Sequence, residues 1–498
     1  MCITSSSFVL AQSPAQQTPG VSTASQVPLS GRASQPGMVI VNQSTGNTTA
    51  GDPVDVLHSS ISVQGSYTGS AASGTATSGT LALTLDKAVT MGLRLNLGAI
   101  TESQAFQQTR GQARVARSQL LPNLNTVASE TVEQLNLRTA GVLEPNFPLA
   151  VGPFNFFDVR VARLRQSVFD LVRLHNYRSS SEISKSASFS ARDSRDLVVL
   201  AVAGSYLQIV AVLARTAAAV AQVDSSQAVF QQATDRLNSG LNARIDATRS
   251  EVQLDTDRQR LRSLRAEVDR QKLALARLIG LPPGQQFAIT DYFPFAAIPN
   301  FTLEQALAAA EQGRSDLKAA AAGVHAAEQS LQAARSERLP NLTLTADYGA
   351  SGLRPTTEAH SVFSVSGTLT LPLYEGGRIR GEIEQANASL LARRAELSDV
   401  QGRIDQDVRE AYIDLGAAAD QVELARRNVD LAHDTLNQAR DRFTAGIADT
   451  IEVVQAQQSV VQAENDYISA VFDHNLAKVS LARAIGNTES SIKQFLRK

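Results

Sequence analysis

The sequence predicts a mainly α-helical protein with a β component, built from two strand–strand–long-helix–helix units. Three observations predict it. "ARSQLLPNL" at 116–124 returns 218 residues later as "ARSERLPNL" at 334–342, so the chain carries a duplication. Segments after each copy alternate apolar and polar residues with the period of a strand. Two stretches, 172–239 and 377–445, run without proline and are dominated by helix formers.

A chain of 498 residues exceeds one ordinary core, which suits two similar units. Its 46 basic and 48 acidic residues leave a formal charge of −2, against the strongly basic face of a general nucleic-acid binder. The single cysteine, Cys2, permits neither an internal disulfide nor a cysteine metal cluster.

Residues 1–80 are rich in Ser, Thr, Gly, Gln and Pro, a composition expected to stay disordered. "SSSFVLAQSP" within it has the form of the end of a secretory signal, with Val9 and Ala11 at the −3 and −1 positions of a cut. Cys2 could alternatively be a lipidated terminus, but no lipobox precedes it.

The first repeat is expected over 81–280, with strands at about 121–137 and 156–170 and long helices at about 172–239 and 243–280. A Pro-rich linker fills 281–300. The second repeat spans 301–487, with strands at about 339–350 and 361–374 and helices at about 377–445 and 449–486, before a C-terminal tail over 488–498. "TLDKAV" (84–89) and "TLEQAL" (302–307) place a capping Thr at matching helix starts. Pro122 and Pro340 end the helical period at equivalent places. After Pro340, Leu342, Leu344, Ala346 and Tyr348 alternate with Asn341, Thr343, Thr345 and Asp347; Phe363, Val365, Leu369 and Leu371 alternate with Ser and Thr. Copy one is fainter, with "FDVRV" (157–161) alternating before a bulge near Ala162.

The long helices carry heptads lined by alanine, such as Val422, Val429, Leu436 and Phe443 with Ala425, Ala432 and Ala439. His474 falls on the returning helix's seam and reads as a packed side chain. "LVVLAVAGSYLQIVAVLA" (197–214) is long and apolar enough to span a bilayer. Its counterpart, "RIDQDVREAYIDLGAAAD" (403–420), is heavily charged, so 197–214 reads as a helix buried by protein.

Four strands with one apolar face cannot close alone, and lipid does not tolerate an open sheet edge. Oligomerisation solves this, and three copies supply twelve strands.

The combination of "LPNL" entering a strand, "LPLYEGG" leaving one, "RFTAGIADTIEVVQAQ" at a helical turn and "LARAIG" closing a unit resembles the TolC-like outer-membrane efflux proteins over about 84–486. The resemblance implies a homotrimer in the outer membrane of a Gram-negative cell, its twelve-stranded β-barrel continuous with a periplasmic α-helical barrel. It implies passive export through a tripartite efflux or type I secretion complex, with a periplasmic adaptor and an inner-membrane pump as partners and outer-membrane lipid as surroundings. The implied barrel lipid face includes Leu342, Leu344, Phe363, Val365, Leu369 and Leu371. The implied adaptor-docking tips include Arg236, Gly240, Asp246, Arg442, Gly446 and Glu452, and the implied periplasmic gate Asp246, Phe443, Glu452 and Gln455. Where the family carries an arginine two residues after the second tip glycine, this chain has Ala448. The cargo follows from the pump.

No enzyme signature competes. The six histidines are scattered without H-E-x-x-H, and "YEGGR" (374–378) lacks the P-loop lysine, so no metal, cofactor, catalytic residue or nucleic-acid partner is expected. The alternatives are a periplasmic coiled-coil adaptor or a structural envelope protein. An adaptor would join one helical hairpin to a β-rich body rather than alternate two hairpins with amphipathic strands.

Overall fold

A computed structural model describes residues 38–46, 56–72, 74–136, 150–240, 243–296, 302–354, 359–445, 447, 450–486 and 488–495. Cys2 and the rest of the signal-like segment lie outside the described residues, as do Gly446 and Ala448.

The N-terminal elements are β1 (Met38–Gly46), β2 (Val56–Gln64) and β3 (Leu81–Leu83). The first repeat continues with α1 (Leu85–Leu95), α2 (Leu97–Ser118), β4 (Asn123–Asn136), β5 (Ala150–Phe169), α3 (Leu171–Asn238) and α4 (Arg244–Ile279). After β6 (Phe287–Ile289), the second repeat holds α5 (Leu303–Gly313), α6 (Ser315–Ser336), β7 (Asn341–Gly352), β8 (Ala359–Thr370), α7 (Arg378–Thr444) and α8 (Thr450–Ala484), followed by α9 (Thr488–Phe495). The long helices lie within two residues of the expected bounds.

Each repeat begins alike. The hydroxyls of Thr84 and Thr302 accept from Lys87 N and Gln305 N, and Gln305 returns a bond to Thr302 N, closing a capping box. Both helical segments then break at equivalent positions, Asn96 and Arg314, where the backbone turns extended. Asn96 is fully buried; its amide donates to Tyr67 O (2.8 Å) and Leu278 O (3.2 Å) while Oδ1 caps Gly98 N (2.9 Å). Arg314, also buried, forks to Asp316 (2.7 Å) and Asp407 (3.0 Å). A buried polar group must find partners, and one break does so with an amide, the other with an ion pair.

α4 and α8 end on glycines in the left-handed region, Gly280 (φ 76°) and Gly486 (φ 70°). A Cβ on Gly280 would sit 2.7 Å from Leu95 Cβ, and one on Gly486 2.6 Å from Arg314 N, so each helix end seats beside the break that opens its repeat. This is why "LARLIG" and "LARAIG" close on glycine.

The apolar run 197–214 lies within α3 and is the centre of the largest core. Val198, Val202, Tyr206 and Ile209 pack there with Leu83, Val89, Leu275, Ile279, Phe287 and Leu476. Burial of each large aliphatic side chain contributes about 1.5–3 kcal/mol relative to leaving it in water. The Tyr206 hydroxyl donates to Leu83 O (3.0 Å) and Asp291 Oδ2 (3.2 Å).

Three expectations are corrected. Residues 38–46 and 56–72 are not disordered: β1 and β2 form an antiparallel hairpin, and Val39, Ile61, Val63 and Tyr67 join the α3 core. The hairpin is too poor in apolar groups to fold alone, and it uses a surface that α3 provides. Residues 281–296 of the linker are likewise anchored, because β6 pairs in parallel with β3, and Asn475 and Lys478 of α8 donate to Phe293 O and Ala296 O. Residues 488–495 form a helix, α9, whose Ile492 reaches the same core.

His474 is buried against the Phe295 ring (4.7 Å between centroids), as expected of a packed side chain. Beside it, buried Asp473 accepts Ser59 N–H at 2.9 Å, tying β2 to α8. Burial pushes the Asp473 carboxyl up to about 7, and burial, aided by Lys478, pushes the His474 imidazole down to about 4. A carboxyl raised on folding loses stabilisation as pH climbs from its ordinary value of 3.8 to about 7. A depressed imidazole gains it between about 4 and 6.5, so the two slopes oppose each other. Asp473→Asn keeps an acceptor for Ser59 but removes one slope. The melting temperature of the detergent-solubilised variant should therefore rise between pH 4 and 6.5 more steeply than the wild type's. Coincident profiles followed by circular dichroism would contradict this account.

Candidate functional site

Two regions hold the residues that the sequence singles out: the four-stranded sheet and the far ends of the long helices. The sheet runs β4-β5-β7-β8, all antiparallel. Pro122 and Pro340 stand immediately before β4 and β7, where helical hydrogen bonding cannot continue. β5 hands over to α3 at Asp170, whose carboxylate caps Arg173 N at 3.0 Å. Before α7, Gly377 adopts φ 91°, and Arg378 pairs with Glu375, with Glu337 at the end of α6 (2.7 Å), and with Glu382 (2.6 Å).

Register decides which side chains share a face. Leu342 lies opposite Leu369, Ala346 opposite Val365, and Tyr348 opposite Phe363. The Ala346–Val365 row continues through Leu164 of β5 to Leu124 of β4. Phe363 (75% exposed), Leu369 (68%) and Leu124 (69%) make this a largely apolar surface that water would not favour, interrupted by Gln166 beside Leu344. Leu344, opposite Gly367, shares the face and is half-buried like Leu342. The second strand of this pair is shorter than expected. β8 stops at Thr370, and Leu371, Leu373 and Tyr374 follow outside the ladder, where Pro372 has no N–H to donate.

The opposite face is polar and more charged than the serine and threonine pattern suggested. Arg165 aligns with Asn123, Thr345 and Ser366; Arg163 aligns with Asn125, Asp347 and Ser364. Arg163 Nε donates to Asp347 at 2.5 Å, and Arg160 pairs with Asp158 at 3.0 Å. The bulge expected near Ala162 falls at Val161, where the register shifts between Arg160 and Ala162. Gly349 sits against that bulge: a Cβ there would lie 1.9 Å from Val159 O, so only glycine lets β5 and β7 approach. The signal for these arginines was present in "DVRVARLRQ" (158–166), where they interleave with apolar residues.

At the other end, α3 stops at Gly240 (φ 74°) and α4 starts at Arg244 with Asp246 in its first turn. The structure joins two pairs of the singled-out residues. The Arg236 guanidinium lies 4.2 Å from the Phe443 ring centroid, linking α3 to α7. Arg442 Nε meets Glu452 Oε1 at 3.2 Å, linking α7 to α8. Phe443 is buried with Leu436, Ala439, Val453, Ala456 and Val460, the expected alanine-lined seam. Asp246 pairs with Arg249 of its own helix at 4.0 Å, and Gln455 is exposed. Gly446 lies outside the described residues.

Sequence reasoning missed a polar layer just above the tips. Asp257 of α4, buried, accepts from Ser226, Gln222 (3.3 Å) and Gln253 (3.1 Å). Arg440 (2.8 Å) and buried Gln457 (2.9 Å) both reach Ser225, tying α7 and α8 to α3. The only hint was the small polar run "DSSQ" (224–227) in an Ala-rich helix. No group of three or more His, Cys, Asp or Glu suited to a metal occurs among the described residues.

Comparison with known proteins bears on both regions. The family pattern described as outer membrane efflux protein matches residues 102–281 and 306–487, one match per repeat. The chain is 23% identical over 407 residues to the pyoverdine export outer membrane protein OpmQ of Pseudomonas aeruginosa, covering 78% of this chain and 82% of that one. It is 20% identical over 431 residues to the outer membrane protein TolC of Escherichia coli, covering 80% and 85%. Among solved structures, the outer membrane protein VceC of Vibrio cholerae superposes with a TM-score of 0.69 at 18% identity, covering 81% of this chain and 96% of that one. This structural likeness establishes the fold.

The exposed apolar face gives a direct test. Val365→Arg, on the same face and midway along β8, should destabilise the inserted protein by about 2–4 kcal/mol if it meets mid-bilayer lipid. Unfolding from lipid vesicles measures this. A cost near zero, equal to that of the same change at polar-face Thr368, would mean that this face does not meet lipid.

Proposed function

The chain belongs to the outer membrane efflux protein family, and on that premise we propose that three copies close their sheets into one twelve-stranded barrel, forming the exit duct of a tripartite complex. The protein is an outer-membrane efflux channel, and its relatives are transporters rather than enzymes. The observation that carries the trimer is the open sheet. β4 and β8 each have one edge without a ladder among the described residues, while the face between them is apolar. In hydrocarbon each unsatisfied backbone group costs several kcal/mol, so the edges must pair, β8 of one copy with β4 of the next. Twelve is an even strand number within the range of bacterial barrels.

The helices carry the duct away from the membrane. α3 has 68 residues and α7 has 67, which at 1.5 Å per residue extends each by about 100 Å. Their tips are the adaptor-docking surface in this proposal, with the adaptor in turn joined to an inner-membrane pump. The Arg236–Phe443 contact between the two hairpins, and the Arg442–Glu452 pair beside it, hold the tips in their resting arrangement. A cation–π contact of this kind is worth about 0.5–2 kcal/mol, weak enough for an adaptor to displace. Conduction is passive: the polar sheet face lines a wet lumen, and energy comes from the pump.

Cross-linking and light scattering of the detergent-extracted protein should report a trimer; a water-soluble monomer would refute the assembly. Arg236→Glu combined with Arg442→Glu should abolish export, in a strain relying on this duct alone, while trimer formation and membrane insertion persist. In planar bilayers the wild type should conduct weakly and Phe443→Ala more strongly. Unchanged export and unchanged conductance together would remove the docking and gating roles of the tips.

A further inference from the structure

We propose that the polar face of the sheet forms a basic ring at the helix-proximal base of the barrel, with Arg165 its determinant, so that the duct favours anionic solutes. This rests on the trimeric-barrel reading and adds the charge class of what passes.

Three arginines share one face of β5 because of the bulge. Arg163 and Arg165 are two residues apart and point the same way. Arg160 is three from Arg163 and would point oppositely in a regular strand. The extra residue Val161 restores its phase, and Arg160 pairs in register with Val127 and Gly349 on the polar side. The bulge, and the glycine that accommodates it, thereby gather positive charge that a regular strand would send partly into lipid.

The charges do not cancel. Asp158 neutralises Arg160 and Asp347 neutralises Arg163, each through a direct ion pair. Arg165 is exposed, has no ion pair among the described residues, and its row partners Asn123, Thr345 and Ser366 are all neutral. Three arginines against two aspartates leave one positive charge per chain, repeated by symmetry around the ring. The next acid on this face among the described residues is Glu133, ten residues beyond Asn123 along β4. At about 3.3 Å per residue it lies roughly 30 Å away, past the reach of screened charge in ordinary salt. Row Asn123–Arg165 is also the first row after Pro122, so the ring stands where the helical tunnel enters the barrel. A charged ring in a wall backed by lipid focuses its field into the lumen and concentrates counter-ions there.

The test is the reversal potential of purified trimers in planar bilayers under a potassium chloride gradient. At about 10 mM salt, where the screening length is roughly 30 Å, Arg165→Glu should lower the anion-to-cation permeability ratio at least about twofold relative to wild type. Arg165→Gln should fall between the two, and the difference should vanish near about 1 M, where screening acts within roughly 3 Å. Arg165→Gln also keeps the test alive if the charge reversal prevents assembly. Conductance with one ratio for all three proteins would overturn the ring while leaving the duct intact. No conductance from any of them, even with Phe443→Ala, would overturn the duct and the ring with it.

Discussion

The hydrogen-bonding demand of a sheet placed in lipid governs this molecule. Water can satisfy the edge of a soluble sheet, but hydrocarbon cannot. A four-stranded sheet with an apolar face therefore has no stable existence in a bilayer as a single chain. The antiparallel order β4-β5-β7-β8 places one hairpin from each repeat side by side and leaves two different edges outward, β4 and β8, suited to joining copies head to tail around a symmetry axis. The duplication matters here because it lets each chain contribute two hairpins whose helices leave from the same end of the sheet.

The helices then have to be held together far from the membrane, and the chain does this in layers. At the helical end of the sheet, Arg378 gathers three carboxylates at the strand-to-helix turn. Midway along, the apolar stretch of α3 is wrapped by the N-terminal hairpin, α1, α4, α8 and the β3–β6 pair, while Asn96 and Arg314 satisfy the two helix breaks. Nearer the tips stand the alanine seam of α7 and α8, Ser225, which accepts from Arg440 and Gln457, and Ser226, which donates to Asp257. The polar layer thus lies between the large central core and a small apolar cluster around Phe443 at the tips.

The two repeats share a plan but not a chemistry. Asn96 and Arg314 occupy equivalent breaks, yet one uses an amide to bind carbonyls and the other a guanidinium to bind carboxylates. The strands differ similarly: β5 carries arginines on its polar face where β8 carries serine and threonine. Geometry is conserved by proline, glycine and capping threonine, which act through the backbone, while the side chains that fill the geometry vary between copies.

The sequence by itself determined the duplication, the long helices to within two residues, the two hairpins and the apolar face of the second one. Each of these depends on local periodicity or backbone restriction: proline ends a helix, glycine allows a left-handed cap, and alternation sets a strand's faces. It also indicated that 197–214 is buried, because its charged twin at 403–420 could not share a place in lipid. Tertiary structure decided what depends on a partner distant in sequence. The segments 38–46 and 56–64 order because α3 and α8 offer Val39, Ile61 and Ser59 an apolar wall and an acceptor that no local window contains. Arg236 meets Phe443 only after two hairpins pack, and three arginines reach one face only after the Val161 bulge shifts the register. Periodicity fixes which way a residue points within its own element. Which residue it meets is fixed by packing between elements, where a single inserted residue reverses the answer.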